Sequence, residues 1–444
     1  MDTRETWASR LGFILAAVGS AVGLGNVWRF PYVTAENGGA VFLVVYLVAA
    51  AAIGLPAMLA EFAVGRRARR NVIGAFDEIG YPAWGVIGLL GLATGFWILS
   101  YYSVVGGWVI RYVLASATGG YFGDPNAYFQ GVAAGPAAVG FHALFLGLTV
   151  GIVALGVEDG IELATKVMVP AILVVFVGLA VWGATLSGAA DGLSYFVSPD
   201  FDVFVDDYAT IVPAAVGQAF FSLSLGMGVM ITYASYLGRD DDLAVDGGLI
   251  VVLNSAVGVL AGLVAFPLLF SQNVEPGSAG AGAIFVGLAT AFASLPAGRI
   301  VGLVFFTVVL VAALSSAISL LEVVVSYAVD RYAVGRVRTA ATVGALVFVL
   351  GLPSATSLET LTLFDRIASN VLLPLGATLV VAFVGWVYGQ AAVDELRQGA
   401  GRLARFGPAW LWLVRVVVLA TLVGILLLGV ADILSVSADV ELLG

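Results

Sequence analysis

The segment GSAVGLGNVWRFP (residues 19–31) decides the fold of this chain. It lies inside an apolar run long enough to cross a bilayer, yet it is rich in glycine and contains Asn26 and Arg29. Glycine weakens a helix, and an amide or a guanidinium inside a membrane needs protein partners. Irregular backbone at that depth is tolerated only where it is buried in protein or lines a cavity. The segment therefore predicts a membrane helix that is interrupted beside a polar site.

Composition assigns the whole chain to the membrane. Of its 444 residues, 61% are hydrophobic and 11% are charged, with a mean hydropathy of +1.05. Soluble domains are about 45–50% apolar and about 25% charged. Apolar segments of about 20 residues recur along the chain, which predicts helices rather than a β-barrel. The first of them lacks a basic leader and a small-residue cleavage site, so we expect it to be retained as structure.

Several function classes are excluded by absent chemistry. The chain has no cysteine, which rules out disulfides and thiolate metal sites. A net charge of −10 argues against nucleic-acid binding. Lys166, the only lysine, is not part of a phosphate-binding loop motif, and His142 is the only histidine. We therefore do not expect an enzyme. Any energy-requiring function of this chain would have to be driven by an ion gradient.

Apolar runs bounded by charges or turn residues predict about eleven transmembrane helices. The expected limits are 10–36, 40–65, 82–117, 140–157, 160–186, 210–237, 244–270, 299–329, 338–352, 360–389 and 408–432. Arginines cluster in GRRARR (residues 65–70) and DRYAVGRVR (residues 330–338), whereas the alternate loops carry mainly aspartate. The positive-inside rule then places the amino terminus in the cytoplasm and the carboxyl terminus outside. We expect a multi-pass protein of a prokaryotic plasma (inner) membrane.

A second glycine-rich break, SLSLGMG (residues 222–228), interrupts the sixth predicted span. The two broken spans lie five apart and so cross the membrane in opposite senses, which is typical of an inverted-repeat transporter. The alternative is that these glycines only allow close helix packing. The expected units are a first repeat at 1–186, an extracellular loop at 187–209, a second repeat at 210–389 with a helical hairpin near 277–298, and a last segment at 390–444. That last segment would hold a cytoplasmic loop, the eleventh helix and an extracellular carboxyl terminus.

A broken helix offers two kinds of ligand side by side. Its freed carbonyl oxygens suit a hard cation such as sodium, and the amino end of the next half-helix suits a carboxylate. The breaks therefore predict a site for a cation and an anionic group together.

Long motifs resemble the neurotransmitter:sodium symporter family. They are WASRLGFILAAVGSAVGLGNVWRFPYVTAENGGAVFLVVY (7–46), YYSVVGGW (101–108), VGQAFFSLSLGMGVMITYASY (216–236), AALSSAISLLE (312–322) and DRIASNVLLPLG (365–376). The resemblance covers about helices one to ten. It implies an all-α integral membrane protein with the LeuT-type 5+5 inverted repeat, helices 1 and 6 unwound at midplane, and sodium-coupled symport by alternating access.

The resemblance implies two sodium sites made of neutral oxygen donors, as a hard cation prefers. Residue by residue, the first resembles a site of Ala21, Asn26, Ser222 and Asn254, and the second a site of Gly19, Val22, Ala312, Ser315 and Ser316. Without the resemblance, paired serines in an apolar helix are more often satisfied by their own i−4 carbonyls.

The implied substrate is a neutral amino acid with a hydrophobic or aromatic side chain. Members that carry biogenic amines have an aspartate at the position of Gly23, and glycine leaves room for the carboxylate of the substrate. Ser20 replaces an asparagine of the family's leucine transporter, which we expect to loosen contacts near the amine. The implied substrate-binding residues are Ala21, Gly23, Gly25, Ile98, Tyr102, Phe221, Ser222, Ser224, Met227, Ser316, Ala317 and Leu320.

Gates and an anion site are also implied. The outer gate resembles Arg29 with Asp365, and the inner gate resembles Arg4, Trp7, Ser235, Tyr236 and Asp330. Four residues match the anion site of chloride-dependent members, namely Tyr46, Gln218, Ser222 and Asn254. Chloride-independent members have an acid where this chain has Gly258, so we hypothesise that chloride binds here. Glu36 and Glu61 are expected to brace unwound backbone.

Two alternatives stay open at this point. One is a non-transporting amino acid receptor on the same scaffold, because a fold does not fix a function. The other is a sodium-coupled symporter of a betaine-like osmolyte, although a quaternary ammonium prefers an aromatic cage. The implied partners are the substrate, sodium ions (two of them), a chloride ion in the hypothesis above, and the lipid bilayer. No obligate protein partner is implied.

Overall fold

Helices account for all the regular structure in a computed structural model that describes residues 6–238, 241–271 and 282–443. We number the long helices and half-helices α1 to α13. They are α1 (Arg10–Ala21), α2 (Gly25–Glu36), α3 (Ala40–Ala68), α4 (Pro82–Thr118), α5 (Pro136–Ala154), α6 (Val157–Gly183), α7 (Phe201–Ser222), α8 (Val229–Ala234), α9 (Leu243–Ser271), α10 (Gly298–Tyr332), α11 (Arg336–Thr356), α12 (Leu358–Arg397) and α13 (Leu403–Ala431). Shorter helices span Gly74–Glu78, Pro125–Ala133, Ala189–Val197 and Ala283–Ser294.

Nine of these helices in the described ranges are long and apolar enough to cross a membrane, and the bent pair α1 and α2 makes a tenth span. The axes of that pair differ by 46°. The remaining predicted span, the sixth, is the pair α7 and α8, which residues 223–228 separate. The described chain thus contains both predicted interruptions at the predicted places.

One boundary differs from prediction. The segment expected as an extracellular loop at 187–209 is largely helical, because Ala189–Val197 is a helix and α7 already begins at Phe201. The carboxylate of Asp200 accepts the amide of Asp202 and so caps α7, and Asp202 adds an acid to its first turn. Both features stabilise a helix start. Of the hairpin expected near 277–298, residues 272–281 lie outside the described part, and the remainder contains Ala283–Ser294.

The break between α7 and α8 is held by specific contacts. The amide of Gly226 donates to Glu61 Oε1 at 2.8 Å, so Glu61 braces this backbone as predicted. Gly226 has a φ of +80°, and a Cβ there would lie 2.4 Å from the carbonyl oxygen of Leu373. A side chain at this position would be strained both by its backbone angle and by the lack of space.

Candidate functional site

A small cavity of about 20 Å³ lies between the two breaks. It is lined by Ser20, Ala21, Gly23, Gly25, Ile98, Tyr102, Phe221, Ser224, Met227, Ser316 and Leu320. Except for Ser222 and Ala317, every residue of the predicted substrate site lines it. Ser222 and Ala317 are fully packed elsewhere. Ser20, which the sequence places only near the site, is one of the lining residues.

Gly23 is packed closely against two hydroxyl groups that line the cavity. A Cβ at Gly23 would lie 2.0 Å from Ser316 Oγ and 2.8 Å from the hydroxyl oxygen of Tyr102. The Tyr102 hydroxyl accepts the amide of Leu24 at 3.1 Å, so it lies directly at the break in the first span. An aspartate at position 23, as amine carriers have, could not be accommodated without moving both hydroxyls.

The polar corner of the cavity is a pair of serines. Ser20 Oγ donates to Ser224 Oγ at 3.2 Å, and Ser224 Oγ donates to the carbonyl oxygen of Ser20 at 3.1 Å. Ser224 has a φ of +55°, which is uncommon for a residue other than glycine. Hydroxyls from both breaks therefore meet at one side of the cavity.

Oxygen atoms of the first predicted sodium site converge. Asn254 Oδ1 lies 3.1 Å from the carbonyl oxygen of Ala21 and 3.2 Å from that of Ser222. Three acceptors cannot bond to one another. Turning the Asn254 amide would not resolve this, because its NH₂ would then lie 2.9 Å from the NH₂ of Asn26, whose orientation is set by a 2.8 Å bond to the Asn254 carbonyl. A cation would satisfy all three oxygens.

The second predicted sodium site is assembled around Ser315. Its hydroxyl lies 2.5 Å from the carbonyl oxygen of Gly19, 3.1 Å from that of Ala312 and 3.3 Å from that of Val22. Ser316 does not join them: its hydroxyl donates to the carbonyl of Ser20 at 2.8 Å and faces the substrate cavity. The structure thus brings together four of the five predicted ligands and orients the fifth towards the neighbouring site.

Only some residues of the predicted anion site lie together. The Asn254 amide donates to the hydroxyls of Tyr46 at 3.3 Å and Ser222 at 3.2 Å, and those two hydroxyls are 3.3 Å apart. Gln218 is oriented elsewhere, because its amide donates to the Gly25 carbonyl at 2.8 Å. Three of the four residues therefore meet, and Gln218 instead braces the first break.

Arg29 and Asp365 line a second, larger cavity of about 440 Å³, and we call this the Arg29 end of the pathway. In the part of the chain that the structure describes, these two residues form no ion pair with each other. Arg29 Nη1 donates to Gln218 Oε1 at 2.6 Å, and its guanidinium lies 5.1 Å from the centre of the Phe221 ring. Asp365 accepts the hydroxyl of Tyr101 at 3.0 Å.

The opposite side, the Trp7 end, is closely packed. Trp7 Nε1 donates to the carbonyl of Tyr233 at 3.0 Å, and the Trp7 ring makes edge contacts with the rings of Tyr233 and Tyr236. Asp330 accepts both the backbone and the side-chain amide of Asn71 at 3.2 Å. Ser235 donates to the Thr232 carbonyl at 2.6 Å. The predicted partner Arg4 lies outside the described residues.

Two membrane helices that break beside one shared cavity, with oxygen ligands at both breaks, define a secondary transporter of the LeuT type. A family model described as the sodium:neurotransmitter symporter family matches residues 4–121 and 137–439, and the chain belongs to this family.

Relatives agree with this assignment along the whole chain. The structure is similar to that of MhsT in complex with L-phenylalanine, with a TM-score of 0.88 and 41% identity over 96% of this chain and 99% of MhsT. YhdH of Bacillus subtilis, described as an uncharacterized sodium-dependent transporter, is 35% identical over 95% of this chain and 98% of its own length. The bovine sodium-dependent neutral amino acid transporter B(0)AT2 is 31% identical over 62% of this chain and 42% of its own. The chain is a sodium-dependent membrane transporter and not an enzyme.

Proposed function

We propose that the chain carries a neutral amino acid with a hydrophobic or aromatic side chain into the cell together with sodium, by alternating access. The observation that carries this proposal is the cavity between the breaks, which is apolar along Ile98, Met227 and Leu320 and polar beside Gly23. The carboxylate of the substrate would lie beside Gly23 and Tyr102, and its amine beside Ser224. MhsT, similar along its whole length, was solved with L-phenylalanine.

Sodium ions are the cotransported substrates that supply the energy. The first would sit among the oxygens of Ala21, Ser222 and Asn254, where the carboxylate of the amino acid can complete its shell. The second would sit among the carbonyls around Ser315. Each net positive charge that moves inward gains about 2.3 kcal/mol per 100 mV of inside-negative potential. The Arg29 end would face the outside and the Trp7 end the cytoplasm, in agreement with the arginine-rich loops.

Substitutions at the sodium sites test the coupling. In proteoliposomes with an imposed sodium gradient, we expect Asn26→Ala and Ser315→Ala each to lower the initial rate of amino acid uptake by about tenfold or more. Asn26→Ala removes the two hydrogen bonds that orient Asn254 at the first site. Ser315→Ala removes the hydroxyl at the centre of the second site. Ser326→Ala is the matched control, because this buried serine of α10 donates to the Val323 carbonyl at 3.2 Å, away from both sites. Undiminished sodium-dependent uptake in both site variants would overturn the assignment.

The substrate itself can be found by thermal shift. The purified protein is heated with each of the twenty amino acids and with glycine betaine, in sodium and in potassium. We expect hydrophobic and aromatic amino acids to raise the melting temperature only in sodium. Stabilisation by betaine alone would instead indicate an osmolyte carrier.

Chloride is proposed to bind near Tyr46, Ser222 and Asn254. A Cβ at Gly258 would meet nothing closer than 3.7 Å, so an acidic side chain has room to start there. We expect parental uptake to fall when chloride is replaced by gluconate, and uptake by Gly258→Glu to be insensitive to that replacement. Equal parental uptake in the two anions would refute the chloride site.

A further inference from the structure

Glu162 joins two helices that are far apart in sequence. It ends the irregular turn Val157–Glu162 that begins α6, and it is 1% exposed. Its Oε2 accepts the amide of Ala8 at 2.8 Å and its Oε1 accepts the hydroxyl of Ser9 at 2.9 Å. Ser9 is in turn the amino-terminal cap of α1. We call this group of Ala8, Ser9 and Glu162 the Glu162 clasp.

The close approach of the carboxylate depends on a glycine. A Cβ at Gly12, in the first turn of α1, would lie 2.0 Å from Glu162 Oε1. Any larger residue at that position would push the carboxylate away from Ala8 and Ser9. The first turn of α1 is therefore shaped to receive this acid.

Lys166 gives the acid a second partner that does not belong to α1. Its Nζ lies 2.7 Å from Glu162 Oε1, one helical turn further along α6, and its side chain is 38% exposed. A buried carboxylate without a partner is costly. Because Lys166 and Glu162 lie on the same helix, the carboxylate keeps its cation when α1 moves away. The Glu162 clasp can therefore open without leaving the carboxylate of Glu162 unpaired.

The same two helices cover the second sodium site. The side chain of Thr165, on α6, lies 3.1 Å from where a Cβ of Gly19 would be, and Gly19 supplies a carbonyl to that site. Thr165 is 1% exposed. Separation of α1 from the start of α6 would therefore expose Gly19 towards the Trp7 end.

We propose that Glu162 is a positioning residue that holds α1 against the start of α6 while the Trp7 end is closed. When the two helices separate, Lys166 remains the partner of Glu162. This inference rests on the proposed alternating access. Loss of the carboxylate frees α1 and favours the state that is open at the Trp7 end. Loss of the lysine has the opposite effect, because opening would then leave the carboxylate of Glu162 without a partner.

The cysteine-free chain allows a direct readout. Thr165→Cys places one thiol beside the second sodium site, and its maleimide labelling rate in sodium-containing proteoliposomes reports opening. Thr149→Cys on α5, also fully buried, is the control for general loosening of the protein. Uptake is measured in the same vesicles, from the protein without the reporter cysteine.

We expect Glu162→Gln to raise the labelling rate of the Thr165→Cys reporter by about tenfold, the worth of one charge-assisted hydrogen bond. Gly12→Ala should also raise it, although alanine favours a helix more than glycine does. Lys166→Gln should lower it. The Thr149→Cys control should stay unlabelled in all three variants.

Opposite signs for the Glu162 and Lys166 variants would support the proposal, since general destabilisation would raise labelling in both. If the Glu162 and Lys166 variants changed the labelling rate in the same direction, while the parent protein still accumulated amino acid, the proposed role of the Glu162 clasp would be wrong. The transport proposal would stand. Absence of sodium-driven uptake in the parent would instead refute the proposed function. If Glu162→Gln does not fold, Gly12→Ala and Lys166→Gln still give the two opposite predictions.

Discussion

The charged side chains at the two ends of the pathway have different surroundings and different partners. At the Arg29 end, Arg29 and Asp365 face a cavity of about 440 Å³ and are held by the neutral side chains of Gln218 and Tyr101. At the Trp7 end, two buried acids each have a cation. Glu162 pairs with Lys166, and Glu322 pairs with Arg336.

This difference follows from solvation. A charge beside a large polar cavity is hydrated, so it needs no ion-pair partner and can be held by neutral hydrogen bonds. A charge in packed surroundings must be paired, because desolvation without a partner costs several kcal/mol. The charges at the Arg29 end can therefore pair later, whereas the Trp7 end must separate aromatic contacts and the hydrogen bonds of the Glu162 clasp in order to open. The structure has the features of a state open at one end only.

The largest effect is expected from removing the Trp7 side chain, which packs against other aromatic rings at the Trp7 end. Trp7→Ala deletes a buried side chain, its bond to the Tyr233 carbonyl and three ring contacts. We expect it to lower the free energy of unfolding by about 3–5 kcal/mol, as such truncations do. Thermal unfolding of the purified protein measures this.

Trp412→Ala is the control for that prediction, because this side chain is 60% exposed. We expect a change within about 0.5 kcal/mol. If the two variants lost equal stability, the Trp7 ring would not be a packed contact that holds this end closed.

An intermediate effect is expected at the Arg29 end. Asp365→Asn removes the charge that would close on Arg29, so we expect sodium-driven uptake to fall by about ten- to a hundredfold, while equilibrium binding of the substrate falls less. Uptake and radioligand binding are compared in the same preparation. Glu359→Gln, an exposed acid at the start of α12, should change neither. A parental uptake rate in Asp365→Asn would show that this end does not close through the ion pair.

The smallest effect is expected from Tyr101→Phe. The hydroxyl of Tyr101 holds Asp365 away from Arg29, and its loss frees the carboxylate for the closed state. Because one hydrogen bond is worth about 1 kcal/mol net, we expect substrate binding to become roughly fivefold tighter. Tyr208→Phe, a 58% exposed tyrosine, serves as the control. Weaker binding in Tyr101→Phe would mean that Tyr101 supports closure and does not compete with it.

Much of the site could be predicted from the sequence because the breaks have a local cause. Glycine at positions 23, 25, 226 and 228 weakens the helix wherever the rest of the chain lies, and most of the predicted substrate residues sit within one turn of a break. The early start of α7 also had a local signal in Asp200, which an acidic loop assignment overlooked.

Side-chain directions were not predictable in the same way. Ser315 and Ser316 are neighbours with the same chemistry, yet one hydroxyl points to the Gly19 carbonyl and the other to the Ser20 carbonyl. Gln218 bonds the Gly25 carbonyl instead of joining Tyr46. These choices depend on which carbonyl lies nearest after the helices have packed.

The sequence by itself determined that this chain crosses a membrane, where its helices break and which oxygens become available, since hydropathy and helix propensity act over a few neighbouring residues. The tertiary structure alone decided which charges meet. Glu162 reaches Ala8 across 154 positions, and Asp365 reaches Tyr101 across 264. Contacts over such separations are set by the packing of whole helices, which no local pattern encodes.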